Sequence, residues 1–356
     1  MRARPAMEPI DAYRMMIRMR LVEEALSDAW ADGLVPGEYH SGIGEEGINA
    51  GVVLHLSGRD TMALDHRNTS PMVARGAQLT ALMLEVMGSR EGMNRGRAGH
   101  MHLMDQHLHA AADGMVGSSG PLAVGHAIAN TRLYPGRVAI AFHGEGAMNQ
   151  GMLMEAHNMA VAWKLPVVFV CKDNEWSITT HSSDVTGGDI VERARAFGLS
   201  VKKVRGDRVE EVFAAAGSLI QQARDGRGPG FLYATCHRPA GHFEGDPIVR
   251  ILRQPRRQAA NLGPPILSSV RTSEGGTRRE RSAGLAELTK RVGLAARVWT
   301  VRARMDPVRR ARRNLDARAV QRVEANERID VDAAMAEARS RLGERATFGT
   351  PSWCAE

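Results

Sequence analysis

The sequence predicts an α/β fold, a parallel sheet with helices on both faces. Two continuous apolar runs, at residues 138–142 and 167–171, are short enough for strands and too uniformly apolar to have a wet face. Stretches of helical length with period near 3.6 lie between and around them. Strand-like and helix-like segments therefore alternate, the order that builds parallel sheets through helical crossovers.

Taken in order, residues 6–30 place Tyr13, Met16, Ile17, Met19, Leu21 and Leu26 among arginines and glutamates, the pattern of an amphipathic helix. A turn-rich stretch follows, then a helix at 48–56 and a short strand in DTMALDH with a polar tip. Residues 78–86 read as a helix and 88–99 as a glycine- and arginine-rich loop. A small-residue helix at 125–133 precedes the strand at 138–142. A glycine turn and a helix at 150–163 lead to the strand at 167–171. Further strands are expected at 201–204 and 231–235, with a helix at 209–224 between them. After Pro247 the texture changes to Arg, Gly, Pro and Ser with weak periodicity, although 283–292 has helical character. Regularity returns at Asp306, and 320–342 reads as one long amphipathic helix. The expected division is a cofactor-binding domain over 1–248, a basic insertion or arm over 249–305 and a C-terminal helical segment over 306–345. No internal repeat is evident.

The formal charge of +7 is local in origin. Residues 250–313 carry 17 Lys or Arg against four acids, a local +13, which leaves about −6 on the rest of the chain. Trp299 is the only aromatic in that stretch, so base stacking has little support and nucleic acid is not an expected partner. A solvated arm, or one that docks an acidic partner, fits better. No run of 18 apolar residues is present, so no membrane span is expected. The N-terminus lacks the apolar run and cleavage site of a secretory signal. Three widely spaced cysteines, Cys171, Cys236 and Cys354, fit a reducing compartment better than a disulfide framework, and a cytoplasmic location is expected.

The chemistry is concentrated in VAIAFHGEGAMNQGMLMEAHNMAVAWKLPVVFVCKDNEW. Gly144 and Gly146 let the backbone turn and approach a ligand after a strand. A helix then begins, and its free N–H groups and positive dipole end suit a diphosphate. Glu145 offers a carboxylate at one strand tip, and Asn174 offers an amide oxygen at the tip of the next. Adjacent strand C-termini of a parallel sheet are where ligands sit. Carboxylate, amide, main-chain and phosphate oxygens form the hard set that magnesium prefers. An isolated GxG would be only a tight turn, but here the whole span is patterned.

That span resembles the alpha subunits of the pyruvate, branched-chain 2-oxo acid and acetoin dehydrogenases. Their signature GDGAxNQG…EAxNMAxxWKLPVxFVxxNNxY is matched from Gly144, Gly146 and Ala147 through Asn149–Gly151, Glu155 and Trp163–Pro166 to Asn174. The likeness runs from about Tyr13 to Pro247 and resumes at Asp306, with GIGEEGINAGV, GRAGHMHL, DGMVGSSGPLAVGHA and RPAGHFEGDP similar to further family motifs. It implies a thiamine-diphosphate-binding fold and, as cofactors, thiamine diphosphate and Mg2+. It implies that Glu145, Asn174 and the main-chain carbonyl of Trp176 hold the metal. It places His66, Arg67, Gly114, Val116, Gly144, Glu145, Gly146, Ala147, Asn174 and His242 around the cofactor. His242 and His102 are the implied catalytic histidines, handling a proton or orienting substrate and lipoyl arm. His40, His107, His109 and His181 have no motif behind them and are expected at the surface or in loops. Glu155 is expected to be a helix or interface residue.

The implied activity is oxidative decarboxylation of a 2-oxo acid, or cleavage of acetoin, with the acyl group passing to a lipoyl acceptor. In the family the carboxylate that activates the cofactor comes from a separate beta subunit. The resemblance thus implies an α2β2 heterotetramer working with a lipoyl-bearing acyltransferase core. Three departures stand out. Glu145 replaces the family's aspartate, one methylene longer at a site that tolerates little geometric error. Asp173–Asn174–Glu175–Trp176 replaces NNxY, keeping the asparagine. His237–Arg238 replaces an aromatic–arginine pair. The Glu145 change also leaves open a catalytically silent subunit with a binding or assembly role.

Overall fold

Seven strands form one sheet in the order β2-β3-β1-β4-β5-β9-β8: Met104–Asp105, Ala110–Ala112, Thr61–Leu64, Ala139–Gly144, Val167–Asp173, Gly230–Thr235 and Ser200–Arg205. Every neighbouring pair is parallel except β2 with β3 at one edge. β6 (Trp176–Ser177) and β7 (Thr180–His181) make a separate small hairpin. The computed structural model describes residues 7–246, scattered positions between 247 and 276, residues 277–302 and residues 305–343.

All seven residues of β5 are buried, as its continuous apolar run requires for a central parallel strand. Val168 and Val170 face one core, and Val167, Phe169 and Cys171 face the other. The first core is closed by α1 (Pro9–Ala31), α2 (Glu46–Val53), α4 (Leu79–Val86) and α8 (Val209–Arg224). The second is closed by α5 (Ser119–Leu133), α6 (Gly151–Ala162) and α7 (Ile190–Ala196). Helices thus cover both faces, as the alternation of elements predicts. No described helix is long and apolar enough to cross a membrane.

Two elements differ instructively from expectation. α5 starts at Ser119, six residues before the expected 125, because Gly120 and Pro121 mask a first turn that proline tolerates. α3 (Thr69–Arg75) is short and contains Pro71, so it carries no periodic signal. After Gly144 a 3-10 turn over Glu145–Asn149 comes first, and α6 starts at Gly151, one residue from the expected 150.

Beyond the sheet, α9 (Arg278–Arg302) includes the expected helical stretch 283–292 and extends it in both directions. Thr277 and Glu280 exchange hydrogen bonds at its start in a capping box, Thr277 N to Glu280 Oε2 at 2.6 Å and Glu280 N to Thr277 Oγ1 at 3.3 Å. Most of the remainder of 249–276 lies outside the described residues. The chain rejoins the body at α10 (Pro307–Arg312) and α11 (Ala317–Ser340). Arg20 of α1 grips Asp306 at 3.1 Å and Glu46 at 2.6 Å, while Tyr13 donates to Glu324 at 2.5 Å.

Candidate functional site

A cavity of about 260 Å3 opens at the carboxyl ends of β3, β1, β4 and β5. From β1 the chain passes to β3 on one side and later returns to β4 on the other. The crevice between β1 and β4 is therefore a topological switch point, where open parallel sheets hold ligands. Each strand delivers its following residues to the wall: Asp65–Arg67 after β1, Asp113–Gly117 after β3, Glu145–Ala147 after β4 and Asn174 after β5. The segment after β9 adds Arg238 and His242.

The turn at Gly144–Ala147 forms one wall. Gly146 is required by closeness: a Cβ there would lie 2.1 Å from the Ser177 hydroxyl. Glu145 is 1% exposed, and its carboxylate accepts long hydrogen bonds from Asn174 N and Ser182 Oγ, both 3.3 Å. Burial, then the nearby Asp173 charge, pushes its pKa up to about 7. A buried carboxylate so poorly satisfied is unstable as an anion unless a cation joins it. The oxygen of the Asn174 side chain lies at the same tip, accepting from Trp176 N at 3.2 Å. Trp176 is half-buried at the start of the β6–β7 hairpin.

The opposite wall is cationic. Arg67 is 3% exposed and donates to Ser41 O and, at 2.7 Å, to His242 O. Arg238 reaches His242 Nδ1 at 3.0 Å and Ile178 O at 3.1 Å. Burial and the neighbouring Arg67 charge bring the Arg238 guanidinium down to about 9. Three atoms at the wall are buried without a hydrogen-bond partner, His66 Nε2, Ser119 Oγ and His143 Nε2. Such orphans suit a polar occupant. The residues present fit a magnesium-bridged diphosphate: an oxygen-only donor set on one side, guanidinium and neutral imidazole donors on the other.

Beneath the cavity, Lys172 Nζ lies 2.6 Å from Glu45 Oε2 and 3.1 Å from Asp65 Oδ1, with the lysine 1% exposed. Burial works against the ammonium, but the two carboxylates outweigh it and raise its pKa. Burial likewise opposes the Asp65 charge, yet Lys172 brings its pKa down to about 2.

The histidines form the least expected feature. His40 is buried, and its Nδ1 lies 2.8 Å from His100 Nε2. Its ring stands edge-on to His66 at 5.1 Å and to His242 at 4.7 Å. His40 lies in a loop, as expected, but not at the surface: the loop after Gly37 folds inward and seats the ring against His66 and His242. Burial first and Arg67 second lower all four, His40 and His242 to about 2, His66 to about 3 and His100 to about 4. They are neutral at physiological pH. His102 is 47% exposed outside the cavity wall, 3.7 Å from Asp113 and beside Gly114. His107 is exposed, and His109 and His181 are half-buried. Glu155 is exposed on α6.

Among residues that sequence reasoning singled out for the cofactor, Glu145, Gly144, Gly146, Ala147, Asn174, Trp176, His66, Arg67, Gly114, Val116 and His242 all line this one cavity. The expected helix N-terminus also reaches it: Gln150, the N-cap of α6, lines the cavity, with a 3-10 turn over Glu145–Asn149 between it and Gly144. The residues missed were Lys172, Glu45, Asp65, His40, His100 and Arg238. Lys172 had a signal, a charge directly at the end of the apolar strand run 167–171, which burial permits only with partners. His100 had none.

The family model for the dehydrogenase E1 component matches residues 13–262. The chain is similar to the alpha subunit of acetoin:2,6-dichlorophenolindophenol oxidoreductase from Cupriavidus necator, 37% identical over 239 residues, covering 67% of this chain and 72% of the relative. The Bacillus subtilis protein of the same name is 35% identical over 66% of this chain and 71% of its own length. The pyruvate dehydrogenase E1 component subunit alpha of Rhizobium meliloti is 33% identical over 67% and 70%.

Proposed function

The chain belongs to the dehydrogenase E1 component family, as an oxidoreductase alpha subunit of the thiamine-diphosphate-dependent 2-oxo acid dehydrogenase type, and from that premise we propose how its cavity works. Glu145, Asn174 Oδ1 and the Trp176 carbonyl would hold Mg2+, whose charge would offset that of the cofactor diphosphate. Arg67, His66 and the Gly144–Ala147 turn grip the diphosphate, while Gly114 and Val116 contact the aminopyrimidine. The observation that carries this reading is the under-satisfied, 1% exposed Glu145 carboxylate facing Asn174 across a cavity whose far wall is Arg67, Arg238 and His242. Bound thiamine diphosphate would supply the carbon nucleophile and the electron sink that decarboxylation of a 2-oxo acid needs. The protein's share is to anchor, orient and keep out water.

The proposal extends to the partner and substrates. A beta subunit in an α2β2 assembly supplies the carboxylate that activates the cofactor. The occupant beyond the thiazolium is a small 2-oxo acid or acetoin, and the acyl group passes to the lipoyl arm of an acyltransferase core in the cytoplasm. His242 serves at the cofactor and substrate side, and His102 at the rim, where its exposure suits contact with an incoming arm. The 249–305 segment is a separate insertion, and 306–345 packs against the 1–248 body. The silent-subunit alternative gains no support, since Glu145 keeps both its charge-bearing group and its place at the strand tip.

Reconstitution tests this directly. The chain with its beta partner, Mg2+ and thiamine diphosphate is expected to turn over pyruvate, a branched-chain 2-oxo acid or acetoin with an artificial electron acceptor. The chain alone is expected to show no turnover. Full-rate turnover by the chain alone would overturn the half-site reading, and absence of cofactor binding by the assembly would overturn the metal assignment.

A further inference from the structure

The protonation pattern of His242 is forced by its neighbours. Its Nδ1 faces Arg238 Nη1 at 3.0 Å and Arg67 Nη2 at 3.3 Å. A guanidinium has donors only, so Nδ1 must accept, and its lone pair is fully engaged by two cations. The ring proton therefore sits on Nε2, because the hydrogen bonds at one ring nitrogen decide the tautomer of the other. Protonating Nδ1 would break both contacts and add a third positive charge. The remaining neighbours reinforce this: His40 and His66 stand at 4.7 and 5.5 Å between ring centroids and are themselves neutral. The one acid in contact, Asp246, is committed to His242 N at 2.8 Å, on the backbone and away from the ring. His242 Nε2 has no protein partner among the described residues, and the side chain lines the cavity.

We propose that Arg238 is a positioning residue that, together with Arg67, fixes His242 as a neutral Nε2–H donor, so that His242 serves the reaction by donating to an anionic oxygen and not by accepting a proton. The shared chemistry of its ligand is an oxygen bearing negative charge, either on the cofactor phosphate or on the 2-oxo acid. This rests on the functional reading above for the identity of that oxygen, but not for the tautomer. Arg238 contributes geometry: its second guanidinium nitrogen is anchored on Ile178 O at 3.1 Å, which holds the fork against the imidazole.

The test has one arm without catalysis and one with it. In the full chain labelled with 15N-histidine, the resonance lost in His242→Gln identifies His242. It is expected to show the Nε2–H tautomer and not to titrate between pH 5.5 and 8. In Arg238→Met one cationic donor is gone, and titration is expected to move toward the ordinary value of about 6.5. Arg238→Lys restores a cation and is expected to hold the wild-type pattern in part. Titration of wild-type His242 within that range, or a proton on Nδ1, would overturn the proposal whatever the enzyme's substrate.

In the reconstituted αβ enzyme, glutamine carries an amide N–H near the position of Nε2, whereas leucine carries none. His242→Gln is expected to keep turnover within about tenfold, while His242→Leu loses on the order of a hundredfold, the usual effect of removing one oxyanion donor. Equal losses in the two variants would refute the donor role. If the Leu variant weakens thiamine diphosphate binding, the oxygen is the phosphate's; if it raises only KM or lowers only kcat for the 2-oxo acid, it is the substrate's. Calorimetric cofactor binding and assembly with the beta partner exclude misfolding as the cause of loss.

Discussion

Lys172→Met removes the ammonium that joins two buried carboxylates while keeping a side chain of similar length. In the native chain Lys172 Nζ lies 2.6 Å from Glu45 and 3.1 Å from Asp65, and Arg67 is the next cation, 4.0 Å from Glu45. Leaving one partner of a buried ion pair uncompensated costs about 3–5 kcal/mol. That is a large part of a typical domain stability of about 5–15 kcal/mol. The pH dependence has a definite sign. Asp65, with its native pKa near 2 against an unfolded value of about 3.9, contributes stability that is present above pH 4 and lost as pH falls through 2. Burial already holds the Glu45 carboxyl above its ordinary value although Lys172 pulls it down, and without Lys172 it rises further. The penalty is then full at pH 7.5 and shrinks as the pH is lowered to 5 and the carboxylate takes up a proton. Urea unfolding followed by tryptophan fluorescence at both pH values reads the gap between wild type and variant. The double variant with Glu45→Gln is expected to recover part of the loss at pH 7.5. A gap under about 1 kcal/mol at pH 7.5, as for an exposed pair, or a gap that widens at pH 5, would refute the reasoning.

Glu145→Ala is expected to lower Mg2+-dependent thiamine diphosphate affinity of the αβ assembly by about a hundredfold or more, as loss of a metal carboxylate should, while Glu145→Asp keeps it; calorimetry measures both. Gly44 has φ +102°, and a Cβ there would lie 1.9 Å from His237 O. Gly44→Ala should therefore cost about 2–3 kcal/mol from backbone strain and overpacking together, visible as a lower melting temperature and weaker cofactor binding through the displaced 237–242 segment. Deleting residues 250–300 is expected to leave calorimetric cofactor binding intact, because every described residue that lines the cavity precedes that stretch. Loss of binding on deletion would show the segment to be part of the core.

Much of the fold is legible because its central strands are apolar on both faces. The run at 167–171 has no reading except a buried strand, and 209–224 matches α8 residue for residue. Legibility fails where local signal and tertiary role part company. β3 is three alanines, Ala110–Ala112, whose strand identity comes from pairing with β1 rather than from propensity. α3 and the start of α5 carry prolines within their first turns, which hides periodicity without preventing helix. At the site, the residues legible beforehand sit on motif turns at strand tips. Those that were not legible act across long sequence separations. His40 meets His100 and His242, and Lys172 meets Glu45 and Asp65, and neither set has a spacing that a single sequence reveals.

The shape of the cavity accords with the proposed division of the active site between chains. The end assigned above to the diphosphate is built from strand tips and buried charges of this chain. Its outer rim is different: Met115, Val116 and Ile178 are 60%, 51% and 55% exposed, beside Gly114 and the His242 ring. Apolar side chains at the mouth of a polar cavity gain by being covered, and clustered exposure of this kind marks an interaction surface. Of the acids that line the wall, Glu45 and Asp65 are engaged with Lys172 and Asp113 with its own turn at Met115 N, while Glu145, poorly satisfied by Asn174 and Ser182, is the one assigned to the proposed metal. No carboxylate among them is left to face the aminopyrimidine beyond Val116. A beta subunit seated on that rim would cover the apolar side chains and supply the missing carboxylate in one contact. Assembly and activation would then be the same event, and an unassembled alpha chain would hold its cofactor without turning it over.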